Sequence, residues 1–178
     1  MAKILKVTEL GNPILRTKAR TVALSEIKSK SFQNFCDNLI ATCEARSGVG
    51  IAAPQVGVSK RVFVVWSKPN KRYKTAPKME PLIIINPELK FLNKKQEKSW
   101  EGCLSIPGIR GLVPRYKEIE ILYTTRAGEK KKEKYTDFVA RIFQHEFDHL
   151  NGMVFLDRAN PKDLVTEAEY KKIIKKRT

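Results

Sequence analysis

Histidine is scarce in this chain, with two residues in 178. A catalytic metal site with three protein ligands therefore cannot be built from histidine alone. Cysteine is nearly as scarce. Three residues, at positions 36, 43 and 103, have irregular spacing and an odd count. They exclude a disulfide framework and point to a reducing compartment. No apolar run approaches the length of a membrane span. The opening Met1-Ala2-Lys3-Ile4-Leu5-Lys6-Val7 lacks an apolar h-region and an Arg/Ser-rich leader. A cytoplasmic protein with no membrane partner is expected. Acidic residues are also in short supply, 19 against 35 Lys and Arg, for a net charge of +16. That surplus favours polyanionic partners such as nucleic acid, a ribosome surface or anionic lipid, and says nothing of fold. It gathers at Lys130-Lys131-Lys132 and Lys134, and at Lys171, Lys172, Lys175, Lys176 and Arg177. Neither an internal repeat nor a linker interrupts the pattern. One domain over residues 1–178 is expected, large enough to bury its own core.

Both histidines fall in one stretch, Gln144-His145-Glu146-Phe147-Asp148-His149-Leu150-Asn151-Gly152. On a helix, His145 and His149 project from one face a turn apart. Two imidazoles so placed can hold one metal ion, with Glu146 beside any water on it. The plain alternative is a pair of histidines on an amphipathic helix. Apolar Phe138, Val139, Ile142, Phe143, Phe147 and Leu150 form one side, Thr136 or Asp137 can cap the start, and Gly152 suits the position after the end.

Elsewhere the periodicities alternate between helix and strand. Ser25 can cap a helix in which Ile27, Phe32, Phe35, Cys36, Leu39, Ile40 and Cys43 recur at helical spacing, ending near Arg46. Cys36 and Cys43 share that stripe and read as core. Gly48 to Gly57 contains G-x-G-x-x-A, but a helix precedes it and Pro54 interrupts it, so it reads as a small-residue loop carrying Gln55 rather than a dinucleotide fingerprint. Strands are expected at Arg61–Trp66, at Leu82–Ile85 closed by Asn86-Pro87, within 88–100 with a turn near Asn93, around Ile119–Tyr123, and after a turn at Arg126–Glu129 up to Tyr135. Asn160-Pro161 is expected to start a final basic helix, with Leu164, Val165, Ala168, Ile173 and Ile174 as its apolar positions.

The histidine pair needs a third ligand from Cys, Asp or Glu. Cys103 is suited, because it follows a glycine and ends a polar, strand-like segment. Three segments together resemble the signature motifs of the peptide deformylase family of bacterial type: Gly48-Val49-Gly50-Ile51-Ala52-Ala53-Pro54-Gln55, Glu101-Gly102-Cys103-Leu104-Ser105, and Gln144-His145-Glu146-Phe147-Asp148-His149. They occur in the family's order. Gly11-Asn12-Pro13-Ile14-Leu15-Arg16, Pro107-Gly108, Arg110 and Val113-Pro114-Arg115 extend the resemblance over about residues 5 to 158. Ile51 stands where the family usually has leucine.

The resemblance implies removal of the formyl group from the N-terminal formylmethionine of nascent chains, releasing formate. It implies Cys103, His145 and His149 as ligands of one divalent metal, usually Fe2+, with Zn2+, Ni2+ or Co2+ as substitutes. Glu146 is then the acid–base residue, and Gln55 with the Leu104 backbone N–H stabilises the oxyanion. Gly50 and Ile51 hold the peptide by strand-like hydrogen bonds, and Ile142 is a candidate wall of the methionine pocket. Arg110 is expected either to contact the peptide backbone or to face solvent. Arg115, Glu101 and Asp148 are expected to form an ion-paired cluster behind the metal, the plain alternative being ordinary surface charge. The element pattern and the resemblance imply an α+β fold, with mixed or antiparallel sheets packed around the central histidine helix, an N-terminal helix, and a basic C-terminal helix over about 160–178. That helix would dock the enzyme, as a monomer, on the ribosome surface.

Two other classes compete. A zinc endopeptidase shares the His-Glu-x-x-His pattern, but lacks a cysteine ligand upstream in its own motif. A non-enzymatic RNA-binding protein would suit the charge, but calls for aromatic–basic platforms on strands that the sequence does not display.

Overall fold

The computed structural model of the chain describes residues 2–69, 73 and 75–176. Arg177, the end of the second basic run, lies outside the described residues.

A 3-10 turn at Pro13–Arg16 leads to two helices, α1 (Leu24–Ile27) and α2 (Lys30–Ala45). The single helix expected to open at Ser25 is therefore split. Ser25 lies inside α1, while Ser29 adopts extended backbone and its side chain accepts from Phe32 N–H at 3.2 Å. A hydroxyl that satisfies an orphan N–H of the first turn makes Ser29 the stronger start signal. α2 buries Phe32, Cys36, Leu39 and Cys43 against Val62, Val64 and Ile85. Burial pushes the Cys36 and Cys43 thiols up to about 12, so neither is a thiolate at neutral pH.

The strands are β1 (Gly50–Ala52), β2 (Val62–Val65), β3 (Leu82–Phe91), β4 (Gln96–Cys103), β5 (Ile106–Tyr116), β6 (Glu118–Thr124) and β7 (Lys130–Thr136). Then follow α3 (Asp137–Leu150), β8 (Leu164–Thr166) and α4 (Glu167–Lys175). They form a five-stranded sheet, in the order β1-β2-β3-β6-β7, and a three-stranded sheet, β4-β5-β8. Neighbouring strands pair antiparallel throughout. α3 lies between the two sheets and packs against β1, β2, β5, β6 and β7. The architecture is thus α+β, with antiparallel sheets around the histidine helix. Phe143 on α3 anchors it, stacking on Tyr135 at 4.4 Å and meeting Phe63 edge-on at 5.9 Å.

Three expectations from sequence need correction. Asn86-Pro87 does not close β3. The strand bulges there, with Asn86 at φ +50, and continues to Phe91. The Asn86 side chain repairs the interruption by donating to Val22 C=O at 2.7 Å and accepting from Val22 N–H at 2.9 Å. Gly50–Ala52 is an edge strand rather than loop. Asn160-Pro161 opens only a 3-10 turn, so Leu164 and Val165 belong to β8, and the final helix begins at Glu167. Thr166 supplies its cap, accepting from Glu169 N–H at 3.3 Å.

Candidate metal centre

The site forms where the end of β4 meets the last turns of α3. The 3.6-residue period puts His145 and His149 on one face, with ring centroids 5.1 Å apart. A bulge between Glu101 and Cys103 turns the end of β4 toward them. Cys103, His145 and His149 each offer a ligand atom, and these atoms lie within 4.8 Å of one another. Cys103 Sγ is 3.2 Å from His149 Nε2. Thiolate and imidazole donors on one tetrahedral ion sit roughly 3.3–3.7 Å apart, so the three residues fit a single divalent ion. The donor set of one soft thiolate and two imidazoles suits a transition metal such as zinc or iron better than magnesium or calcium.

Behind the donors lies a buried charge network. His145 Nδ1 is 2.9 Å from Glu101 Oε2, which leaves Nε2 for a metal. Glu101 also accepts from Arg115 Nε at 2.9 Å, Arg115 Nη2 at 3.0 Å and Arg141 Nη1 at 2.9 Å. Arg115 continues to Asp148 at 2.5 Å, and Asp148 is clasped by Arg158 through two bonds of 2.6 Å. Burial alone would raise the Glu101 carboxyl, but the Arg115 guanidinium holds it well below the usual range. Glu101 therefore stays ionised and fixes the ring of His145. His149 is fully buried, and burial pulls its pKa well below the usual value, keeping it neutral as a ligand must be.

Gln55 faces the same point from the 3-10 turn after β1. Its Oε1 accepts from Ala52 N–H at 2.8 Å, which orients the amide nitrogen toward Cys103 Sγ and Ser105 Oγ, each at 3.3 Å. Glu146 is 4% exposed, and its Oε2 has no hydrogen-bond partner. Burial pushes this carboxyl up to about 7. Gly50 makes the space it occupies, since a Cβ at residue 50 would sit 2.6 Å from Glu146 Oε1.

A cleft opens over these groups, between the edge strand of each sheet. Val49 and Gly50 line it on the β1 side, Trp100 and Gly102 on the β4 side, and Phe138 and Ile142 from α3. Gln55, Cys103, Leu104, His145 and Glu146 complete its floor. Of the residues singled out from sequence, Gly50, Gln55, Glu101, Cys103, Leu104, Ile142, His145 and Glu146 line this cleft, while Arg115 and Asp148 lie in the charge network behind it. Ile51 is fully buried in the core, so only its backbone could serve a ligand. His149 lies beneath the floor. Arg110 is buried beside the cleft and ion-paired with Glu167. The sequence reading missed Arg141, which lines the cleft and also donates to the carbonyls of Val113 and Glu97. Its position four residues before His145, on the same helix face, was the available signal. It also missed Ser105, whose hydroxyl partners Gln55.

The chain as a whole is similar to known proteins. Residues 4–165 match the family model described as polypeptide deformylase. The chain is 50% identical to peptide deformylase 2 of Nostoc sp. over 177 residues, covering 99% of this chain and 98% of the relative. It is 40% identical to peptide deformylase 2 of Shewanella oneidensis, covering 88% and 85%. Among solved structures it is similar to the Met-Ala-Ser-bound class I type b peptide deformylase of Acinetobacter baumannii, with TM-score 0.86, 42% identity and coverage of 89% and 99%. The Thermotoga maritima peptide deformylase superposes with TM-score 0.78 at 35% identity, covering 89% and 99%. With the family model spanning nearly the whole chain and half the residues shared with a full-length relative, this chain belongs to the polypeptide deformylase family.

Proposed function

We propose that this protein hydrolyses the formyl group from N-formylmethionyl peptides, with Cys103, His145 and His149 holding one divalent metal, Fe2+ in its native state. The observation that carries this reading is the convergence of those three donors with a buried, unpartnered Glu146 carboxyl at the floor of one cleft. A divalent ion held by Cys103, His145 and His149 would supply Lewis acidity, lowering the pKa of water and polarising a carbonyl. Glu146 takes the water proton and delivers it to the departing amine. Its Oε2 has no competing hydrogen bond among the described residues, so it is free to accept and return that proton. The Gln55 amide and the Leu104 backbone N–H stabilise the developing oxyanion, each such donor being worth about 10²–10³ in rate. Ser105 and Ala52 keep Gln55 aimed, so no reorganisation is needed as charge develops.

The peptide lies between the two sheet edges. Among the described residues β1 pairs on one side only, with β2, so the backbone of Gly50 and Ile51 can take an added strand. The methionine side chain enters among Val49, Trp100, Phe138 and Ile142. Arg110 contacts the chain further along. A relative's structure holding Met-Ala-Ser supports a peptide of this length in the cleft. All these groups come from one chain, so a monomer suffices. No described helix is long and apolar enough to cross a membrane. The exposed Lys171, Lys172, Lys175 and Lys176 of the last helix and its C-cap supply the charge for docking on ribosomal RNA.

The test is anaerobic purification, metal analysis and a formate-release assay on formyl-Met peptides. One equivalent of metal and stoichiometric formate are expected. An iron-loaded protein that releases no formate overturns the reading, and cleavage of internal peptide bonds would favour an endopeptidase instead.

A further inference from the structure

Arg110 is an unusual buried cation, because only part of its guanidinium is used. It lies on β5, opposite Val165 of β8, and α4 begins just after β8. Its Nε donates to Glu167 Oε2 at 2.5 Å and its Nη2 to Glu167 Oε1 at 3.3 Å. Tyr170, one turn further on α4, covers the guanidinium with its ring centroid 4.9 Å away. The same ring meets Trp100 edge-on at 5.4 Å. Yet among the described residues Arg110 Nη1 is buried with no acceptor, and so is Trp100 Nε1. A buried N–H without an acceptor is costly unless a ligand completes it.

The location shows where an acceptor would come from. Gly102 and Trp100 both line the cleft, and the guanidinium lies across Gly102. A Cβ at residue 102 would meet Arg110 Nη1 at 2.7 Å. The unsatisfied donor is thus packed against the stretch of β4 edge that forms the cleft wall. The chemistry of the acceptor follows from Glu167. An isolated arginine prefers an anion such as a peptide's terminal carboxylate. Paired side-on with Glu167, its charge is already balanced, and a second carboxylate would be repelled by the first. A neutral backbone carbonyl meets no such repulsion.

We propose that Glu167 is a specificity-determining residue: by neutralising Arg110 beside the cleft wall, it makes the enzyme favour a peptide that continues past this point over one that ends there in a free carboxylate. The inference rests on the reading of the cleft as a formyl-peptide site. It gives the first residue of α4 a role in substrate choice that is separate from the basic residues at the other end of the helix.

The test uses formyl-Met peptides of two, three and four residues, each as free acid and as C-terminal amide, with kcat and KM measured for the parent protein, Glu167→Gln and Glu167→Asp. At one peptide length, Glu167→Gln should lower KM for the acid relative to the amide by about fivefold or more, as expected for removal of one close like charge. Salt at about 0.5 M should shrink that shift, which a packing effect would not do. Glu167→Asp retains the charge and should keep the parent's acid-to-amide ratio. An unchanged ratio in Glu167→Gln at all three lengths overturns the inference, as does an equal shift in Glu167→Asp. Failure of the parent to release formate from any of the peptides would instead overturn the deformylase reading itself.

Discussion

At the scale of single residues, the site is governed by what Glu146 and its neighbours can tolerate. Glu146→Gln keeps the size and removes the base, so kcat on a formyl-Met peptide should fall by about 10²-fold or more while metal content, measured by elemental analysis, stays at the parent level. The same carboxyl leaves a signature in stability. Its pKa rises from an ordinary 4.5 to about 7 in the folded, metal-free chain. Below 4.5 the group is protonated in both states and costs nothing. Between 4.5 and 7 the folded state binds more protons than the unfolded one, so stability falls as pH rises, and the full cost is reached above 7. Urea denaturation of chelator-treated protein should show that decline, and Glu146→Gln should flatten it. An equal slope in both proteins would remove Glu146 as its source. Gly50→Ala tests the same space from the opposite wall. The added methyl would stand 2.6 Å from Glu146 Oε1 and 2.9 Å from Ile142 Cγ2. Glu146 must then swing away, and steady-state assays should show a loss of kcat approaching that of Glu146→Gln, with metal retained.

At the scale of elements, the site depends on fastening the small sheet to α3. Gln144 does so by donating to Tyr116 C=O at 2.8 Å and accepting from Tyr116 N–H at 3.0 Å. Arg141 does so by bonding Glu101, Val113 C=O and Glu97 C=O together. Arg141→Met should leave α3 intact but remove one of the three guanidinium hydrogen bonds that hold the Glu101 carboxylate against His145. Loss of such outer support typically weakens metal affinity by about 10–100-fold, which competition with a chromophoric chelator would measure. Unchanged affinity would reduce Arg141 to a packing residue. These elements also mark how far the sequence could be read. α3 was legible because its apolar period is long and its two histidines sit at a helical spacing. β6 and β7 were legible by alternation and by the turn at Gly128, which takes φ +90. β5 was not, because Pro107, Gly108, Gly111 and Pro114 are all strand breakers by composition. Pairing explains how they are tolerated. β8 covers only Ile109–Gly111, so neither proline owes an N–H to a third strand. Gly111 is needed for close packing, since a Cβ there would meet Leu164 Cδ2 at 2.9 Å. The histidine pair of the candidate triad was legible from its spacing and Cys103 was added by the family resemblance, whereas Arg141 and the Arg110–Glu167 pair depend on contacts between distant segments that no local period encodes.

At the scale of the whole molecule, the +16 charge must be accounted for separately from the chemistry. The groups around the candidate centre are buried and nearly compensated, three arginines (Arg115, Arg141 and Arg158) being paired with two carboxylates (Glu101 and Asp148), so they account for little of the surplus. Most of the surplus therefore lies outside the site. Part of it lines the edge strand β7, where Lys130, Lys131, Lys132 and Lys134 are exposed and discourage pairing with another chain. Another part gathers at the C-terminal end of α4. Acidic Glu167 and Glu169 occupy its first turn and basic Lys172 and Lys175 its last, so these charges follow the helix dipole and their presence has a local cause as well. Docking and helix stability can be separated experimentally. Changing Lys171, Lys172, Lys175 and Lys176 together to Gln removes four charges and leaves the Glu167 and Tyr170 contacts of α4 in place. If the end of α4 docks on ribosomal RNA, affinity for purified ribosomes should drop, and the slope of log affinity against log salt should become shallower by about 0.7–0.9 for each lysine that had met a phosphate. Formate release from a short free peptide should be unaffected, because none of the four side chains lines the cleft. Equal ribosome affinity and an equal salt slope in the two proteins would assign the docking charge elsewhere, with β7 the next strand to neutralise.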